Sequence, residues 1–203
     1  MMNVMHCLDK VCDRAEHHIH HDCFGQVKHV VTDDEFRSLM AGVCAPVTVV
    51  TTADADGPAG TTVSALASLS LHPPLVSVAF DRGSSLLGRI QRSGRFGINI
   101  LSHGQEDVAV LFARRGADRF GAVRWRPDHG LPRLCAASGW AACELYNDVE
   151  AGDHRLLFGL VTQASRHDAA PLVYADQTYG THSRFAVRSP RPITDQIAAF
   201  TRA

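Results

Sequence analysis

The chain reads as a mainly β protein, an antiparallel barrel with a few short peripheral helices. Three observations predict it. Short runs rich in β-branched and apolar residues recur at regular spacing, as over 47–52, 75–80 and 95–101. The helical patterns between them are short, unlike the crossover helices that a doubly wound parallel sheet requires. Pro73 and Pro74 interrupt the apolar stretch 60–80, and proline has no N–H to give to a central ladder.

At 203 residues, with 45% hydrophobic and 20% charged content, the chain supports one sizeable core and is too short for two. Twenty basic and 21 acidic residues leave a net charge of −1 with no long block of one sign. That balance points away from nucleic acid and toward a small-molecule partner. No apolar run reaches the roughly 18 residues that cross a bilayer, and no apolar segment followed by a small-residue cleavage site opens the sequence. No membrane association and a cytoplasmic location are therefore expected. In that compartment Cys7, Cys12, Cys23, Cys44, Cys135 and Cys143 are reduced thiols, the last three in apolar surroundings where buried, inert thiols are expected.

Residues 1–32 stand apart, with three of the six cysteines and six of the twelve histidines. Thiolate and imidazole suit a borderline metal, but there is no Cys-x-x-Cys and no finger spacing. No metal site is assigned, and the segment is expected to be a mobile or partly helical extension. The folded domain is expected over 33–188, with a terminal helix or tail over 189–203.

Taken in order, Thr32-Asp33-Asp34 is an N-cap for a helix whose Phe36, Leu39, Met40 and Val43 fall at i, i+3, i+4 and i+7, a stripe expected to cover one end of the core. Pro46 stops it, and 47–53 pairs with 60–70 as a hairpin around the turn 54–58. A third strand covers 75–80. Ser84-Ser85 caps a short helix to Ile90, 95–101 is a fourth strand, and 105–115 is a helix with Val108, Leu111 and Phe112 on one side. A strand from Gly139 breaks at Asn147-Asp148, Gly152-Asp153-His154 turns the chain, and 155–161 and 171–174 are further strands. Trp125 and Trp140 are packing residues. Ile193, Ile197 and Phe200 mark a terminal helix within 191–201.

No Gly-x-Gly-x-x-Gly, P-loop, Gly-x-Ser-x-Gly or His-Glu-x-x-His occurs, so the familiar nucleotide folds and hydrolase sites have no support. What remains is a run of hydroxyls, Thr61, Thr62, Ser64, Ser68 and Ser70, with Ser84-Ser85 at a helix start. Hydroxyls and unpaired N–H groups at the positive end of a helix suit a phosphate. Spacing alone leaves this open against strand hydroxyls facing water and a routine N-cap.

A set of motifs bears on that choice: the 47–52 strand, Asp56-Gly57, Gly60-Thr-Thr-Val-Ser-Ala, Ser68-Leu-Ser-Leu-His-Pro-Pro-Leu-Val, Ser84-Ser85, Phe96-Gly-Ile-Asn-Ile-Leu, Arg119-Phe120, Gly152-Asp-His and Pro171-Leu-Val-Tyr. In order and spacing, over about 34–185, they resemble the flavin reductase family, the reductase components of two-component flavin-dependent monooxygenases. The resemblance implies an FMN-binding split barrel, a homodimer, that passes a hydride from NADH or NADPH to FMN or FAD. It implies that Thr61, Thr62, Val63, Ser64 and Ala65 hold the flavin with Ser68 nearby. Ser84, Ser85 and Arg115 then lie by the phosphate or ribityl chain. His154 serves the nicotinamide side as the catalytic residue, oriented by Asp153. His72 stands where the family commonly has an acidic residue, so that carboxylate's role does not transfer. Two other readings stay open, a flavoprotein that keeps FMN and acts on another substrate, and a non-catalytic flavin- or metal-binding module.

Overall fold

The computed structural model describes residues 31–114, 116 and 118–183. Nearly all of the extension expected over 1–32, Arg115, and the terminal helix expected within 191–201 lie outside the described residues. The chain divides into two compact units, Met1–Phe36 and Arg37–Ala203.

In the first unit Thr32 and Glu35 form a capping box. Thr32 N donates to Glu35 Oε2 at 2.8 Å, and Glu35 N donates to Thr32 Oγ1 at 3.3 Å. These bonds hold the Glu35 carboxyl below its usual value. They open helix α1 (Asp33–Ala41). The expectation that α1 covers the core is not met, because none of its residues is buried and Phe36, Leu39 and Met40 are exposed, as is Val43 just beyond it.

In the second unit the strands are β1 (Ala45–Pro46), β2 (Thr48–Asp54), β3 (Gly57–Val63), β4 (Leu66–Leu71) and β5 (Pro74–Asp81), followed by helix α2 (Ser85–Ser93), β6 (Arg95–Ile100) and helix α3 (Glu106–Ala113). Then come β7 (Trp125–Asp128), β8 (Leu131–Leu134), β9 (Gly139–Ala151), β10 (His154–Arg166), β11 (Leu172–Ala175) and β12 (Thr178–Thr181). Seven strands make one antiparallel sheet in the order β3-β2-β6-β9-β10-β5-β4, with β1-β11-β12 and β7-β8 as smaller sheets. The mainly β, antiparallel expectation holds. The sheet curls around Val50, Val63, Val78, Phe80, Phe96, Cys143 and Leu157, and α2 stops one end with Leu86, Leu87 and Ile90. A second cluster packs α3, through Ala109 and Phe112, against Val47, Val49, Leu101, Leu134 and Leu172.

Several boundaries differ from expectation for identifiable reasons. The strand expected over 60–70 is two strands, because the chain leaves β3 at Val63 and restarts as β4 at Leu66 on the far edge of the sheet. The break expected at Asn147-Asp148 is a bulge. Phe158 pairs with Asn147 and Gly159 with Leu145, so Tyr146 is the extra residue and β9 continues through it. Strands β7, β8 and β12 are short hairpin arms without clean alternation, and β10 runs five residues past the apolar segment that marked it. Of the three cysteines expected to be buried, Cys44 and Cys135 are exposed, and only Cys143 is inside. Burial pushes the Cys143 thiol up to about 12.

Two features give direct tests. At Gly159 an added Cβ would overlap Phe96 Cζ and lie 3.0 Å from Cys143 Cβ, in the centre of the main cluster. Gly159→Ala is expected to destabilise by about 1–3 kcal/mol, read as a lower urea midpoint with an unchanged slope, since a fully buried ring must move to admit the methyl. Asp54 anchors α2 to the β2–β3 hairpin. Arg89 Nε donates to its Oδ2 at 2.8 Å and Arg89 Nη2 donates to its Oδ1, which together hold the carboxyl below its ordinary 3.8. A depressed carboxyl contributes stability that is complete above the unfolded value and is lost as pH falls through the folded one. Asp54→Asn should therefore remove part of the fall in melting temperature below about pH 4 while lowering it at pH 7.

Candidate functional site

Ser64 and Ala65 alone join β3 and β4, which lie at opposite edges of the seven-stranded sheet. The crossing is pinned by Ala79 N donating to Ala65 O at 3.1 Å and by Leu66 N donating to Ser64 O at 2.9 Å. Beside it lies an open cleft of about 690 Å³. One wall is Thr61–Ala65. The facing wall is Ala79, Phe80 and Asp81 with Gly83, Ser84, Ser85 and Leu86, and Ala113, Gly116, Arg119 and His154 complete the rim.

Hydrogen bonding in the walls separates structural hydroxyls from uncommitted ones. Thr61 Oγ1 donates to Phe112 O at 3.3 Å, and Thr62 Oγ1 donates to Ala109 O at 2.6 Å. Both threonines therefore lash α3 to β3, and each offers a ligand only its remaining lone pairs and its backbone. Ser84 is different: as N-cap of α2 it is extended, with φ −67° and ψ 119°, yet its side chain makes no capping bond. The first turn of α2 carries no acidic residue, so its N–H groups and positive dipole end face the cleft wall uncompensated. Asp81 sets this geometry. Its Oδ1 accepts from Gly83 N at 2.6 Å and its carbonyl from Ser84 N at 2.9 Å, folding the loop that delivers α2.

Arg119 supplies the cation. Its Nη1 donates to Gly60 O and its Nη2 to Arg114 O, while Nε is buried with no partner among the described residues, and burial lowers its pKa. His154 stands at the opposite rim, paired in register with Asp81 of β5. The two-residue turn Gly152-Asp153, with Gly152 at φ 62°, brings it there, and Arg82 N donates to Asp153 O at 3.1 Å. His154 Nδ1 lies 2.7 Å from Asp153 Oδ1, and this contact holds the Asp153 carboxyl below its ordinary value. An ionised carboxylate only accepts, so Nδ1–H is the donor, and Nε2 is left to meet a ligand.

The cleft thus unites Thr61, Thr62, Val63, Ser64, Ala65, Ser84, Ser85 and His154. Asp153 reaches it through His154. Ser68 is an exposed residue of β4, opposite Val76 and away from the cleft lining, and Arg115 lies outside the described residues. Sequence reasoning missed Ala79, Phe80, Asp81, Gly83, Leu86, Gly116 and Arg119. Only Arg119 carried a signal, since Arg119-Phe120 belongs to the motif set. Among the described residues no group of His, Cys, Asp and Glu is placed to hold a metal.

Residues 40–183 match the family model described as flavin reductase like domain. A probable flavin reductase from Rhizobium meliloti (strain 1021) is 39% identical over 150 residues, covering 73% of this chain and 47% of that protein. The reductase component of the flavin-dependent trigonelline monooxygenase of Acinetobacter baylyi is 38% identical over 153 residues, covering 74% of this chain and 48% of its own. The chain therefore spans about half the length of these two relatives. Among solved structures, the NADH:FAD oxidoreductase SgcE6 of Streptomyces globisporus C-1027, in complex with NAD and FAD fragments, superposes with a TM-score of 0.72 at 26% identity, over 78% of this chain and 99% of that one.

Arg119 gives the test specific to this architecture. Arg119→Met leaves two backbone carbonyls without their donor and is expected to cost about 1–3 kcal/mol in chemical unfolding. Arg119→Lys should recover little of it, because an ammonium cannot reproduce the guanidinium fork that spans both carbonyls.

Proposed function

The chain belongs to the flavin reductase-like family, and from that premise we propose that it is an NAD(P)H:flavin oxidoreductase that reduces FMN or FAD and supplies the reduced flavin to a separate monooxygenase. The observation that carries this reading is the single cleft in which the Thr61–Ala65 crossing, the start of α2 and His154 meet.

The residues present fit a flavin. The uncompensated N-terminus of α2, the idle Ser84 hydroxyl and the Arg119 guanidinium suit a phosphate. When bound, the flavin supplies the ring that accepts a hydride from the reduced nicotinamide. Ser64, Ala65, Ser84 and Ser85 hold and orient it. His154, fixed by Asp153, offers Nε2 to the carboxamide N–H of the nicotinamide and so sets the approach of the donor. The cleft is open to solvent along one side, as a flavin that arrives and leaves as a substrate requires. This favours exchange over retention of FMN for chemistry on another substrate.

The assignment of a monooxygenase as recipient draws on the reductase component from Acinetobacter baylyi. A second copy of the chain is the proposed partner for the exposed apolar residues Leu69 and Leu71 of edge strand β4 and Tyr146 and Val149 of β9, in a homodimer. No helix among the described residues is long and apolar enough to cross a membrane. The cytoplasm, with its reduced thiols, is the proposed location.

Steady-state rates for NADH and NADPH against riboflavin, FMN and FAD test the proposal. Stimulation of pyridine-nucleotide oxidation by added flavin is expected, and its absence together with absent flavin binding overturns it. Within the same matrix His154→Ala should raise KM for the nucleotide by about tenfold, the loss of roughly one hydrogen bond, with flavin binding unchanged.

A further inference from the structure

The turn between β5 and α2 touches both ends of the cleft. It runs from Asp81 to Ser84, and buried Phe80 and Leu86 anchor the chain on either side of it in the main cluster. Asp81 Oδ1 accepts from Gly83 N at 2.6 Å and Asp81 O from Ser84 N at 2.9 Å, and these bonds set where α2 starts. Arg82 N donates to Asp153 O at 3.1 Å, which ties the same turn to the residue whose carboxylate meets His154 Nδ1. Asp81 also pairs in register with His154 itself. One short turn therefore carries the geometry of the α2 end and of the His154 end together.

Asp81 is the residue common to both. It is exposed and lines the cleft, yet its Oδ1 is turned into the loop. At Gly83 an added Cβ would lie 3.0 Å from that oxygen, so the carboxylate fills the space over the turn. A negative charge on the wall of a cleft that takes a phosphate repels the ligand. Charge therefore does not account for an aspartate here, whereas its acceptor oxygen does. Of the bonds that shape the turn, the one from Gly83 N to Asp81 Oδ1 is lost when the side chain is cut back, while the two to backbone carbonyls keep their atoms.

We propose that Asp81 is a positioning residue for both substrates and acts through its hydrogen bond to Gly83 N, not through its charge. By that bond it holds the first N–H groups of α2 where a phosphate meets them. Through Arg82 N and Asp153 the same turn holds His154 toward the nicotinamide. The proposal rests on the reductase reading for the identity of the two ligands.

Riboflavin and FMN differ by the phosphate alone, so the pair isolates the α2 end. In the full chain Asp81→Ala is expected to raise Kd for FMN by about tenfold, read by quenching of flavin fluorescence, and to leave Kd for riboflavin unchanged. In steady state it should also raise KM for the pyridine nucleotide, even with riboflavin as acceptor. Asp81→Asn keeps an acceptor for Gly83 N and removes the repulsion, so it should bind FMN at least as tightly as the native chain. Equal weakening of riboflavin and FMN in Asp81→Ala overturns the proposal, as does a nucleotide KM that does not move. If Asp81→Ala fails to fold, Asp81→Asn still decides, because FMN binding weaker than native overturns the proposal. A native chain that neither binds flavin nor oxidises the nucleotide overturns the reductase reading instead, and no variant is needed to see it.

Discussion

The two-residue link between β3 and β4 is the constraint on which the rest of the structure depends. Val63 and Leu66 are three peptide steps apart, so their Cα atoms are at most about 11 Å apart. In the sheet order they occupy opposite edges. A flat seven-stranded sheet would hold those edges about 29 Å apart, six spacings of about 4.8 Å. The sheet must therefore curl until its edges approach. Curling places Val50, Phe96 and Leu157 in one enclosed cluster and leaves a gap beside Ser64 and Ala65 that no strand fills. The core and the cleft are products of one covalent restriction.

The helices then act as fixtures on this curled sheet. Helix α2 enters the open end with Leu86, Leu87 and Ile90 and is locked from outside by Arg89 on Asp54. Helix α3 is held by Phe112 in the second cluster and by the hydroxyls of Thr61 and Thr62 on its carbonyls. A buried polar set ties in the small β7–β8 hairpin. Asn99 Oδ1 accepts from Leu134 N at 2.8 Å, and Thr51 Oγ1 donates to Pro132 O at 2.8 Å. Such groups stay buried because each has a partner, and losing one partner would expose the full desolvation cost of the other.

Much of this was legible in the sequence, at the level where local chemistry decides. Alternation, β-branched runs and turn residues located β2, β5, β6 and β11 and the Gly152-Asp153 turn. The hydroxyl run marked the cleft, but for a mixed reason, since Thr61 and Thr62 spend their protons on α3 and Ser68 lies off the lining. What stayed hidden depends on contacts far apart in sequence. The change of edge at Ser64-Ala65, the bulge at Tyr146 and the arrival of Arg119 beside Gly60 have no local signature. The exposed stripe of α1 shows the converse: a helical period reports that a face is apolar and does not say what, if anything, covers it.

On the proposed function, the commitment of the threonine hydroxyls also bears on how this cleft would recognise an anion. With those protons used, the donors available to a phosphate are the N–H groups at the start of α2, the hydroxyls of Ser64, Ser84 and Ser85, and what Arg119 has to spare. Backbone donors are fixed in place by Asp81 and by the curled sheet, and among substitutions only proline would remove one. They would fix the position of an anionic group while contacting little of the molecule attached to it. A site of that kind discriminates by the presence of the phosphate and only weakly by what extends beyond it, and its open side leaves room for a longer tail to lie in solvent.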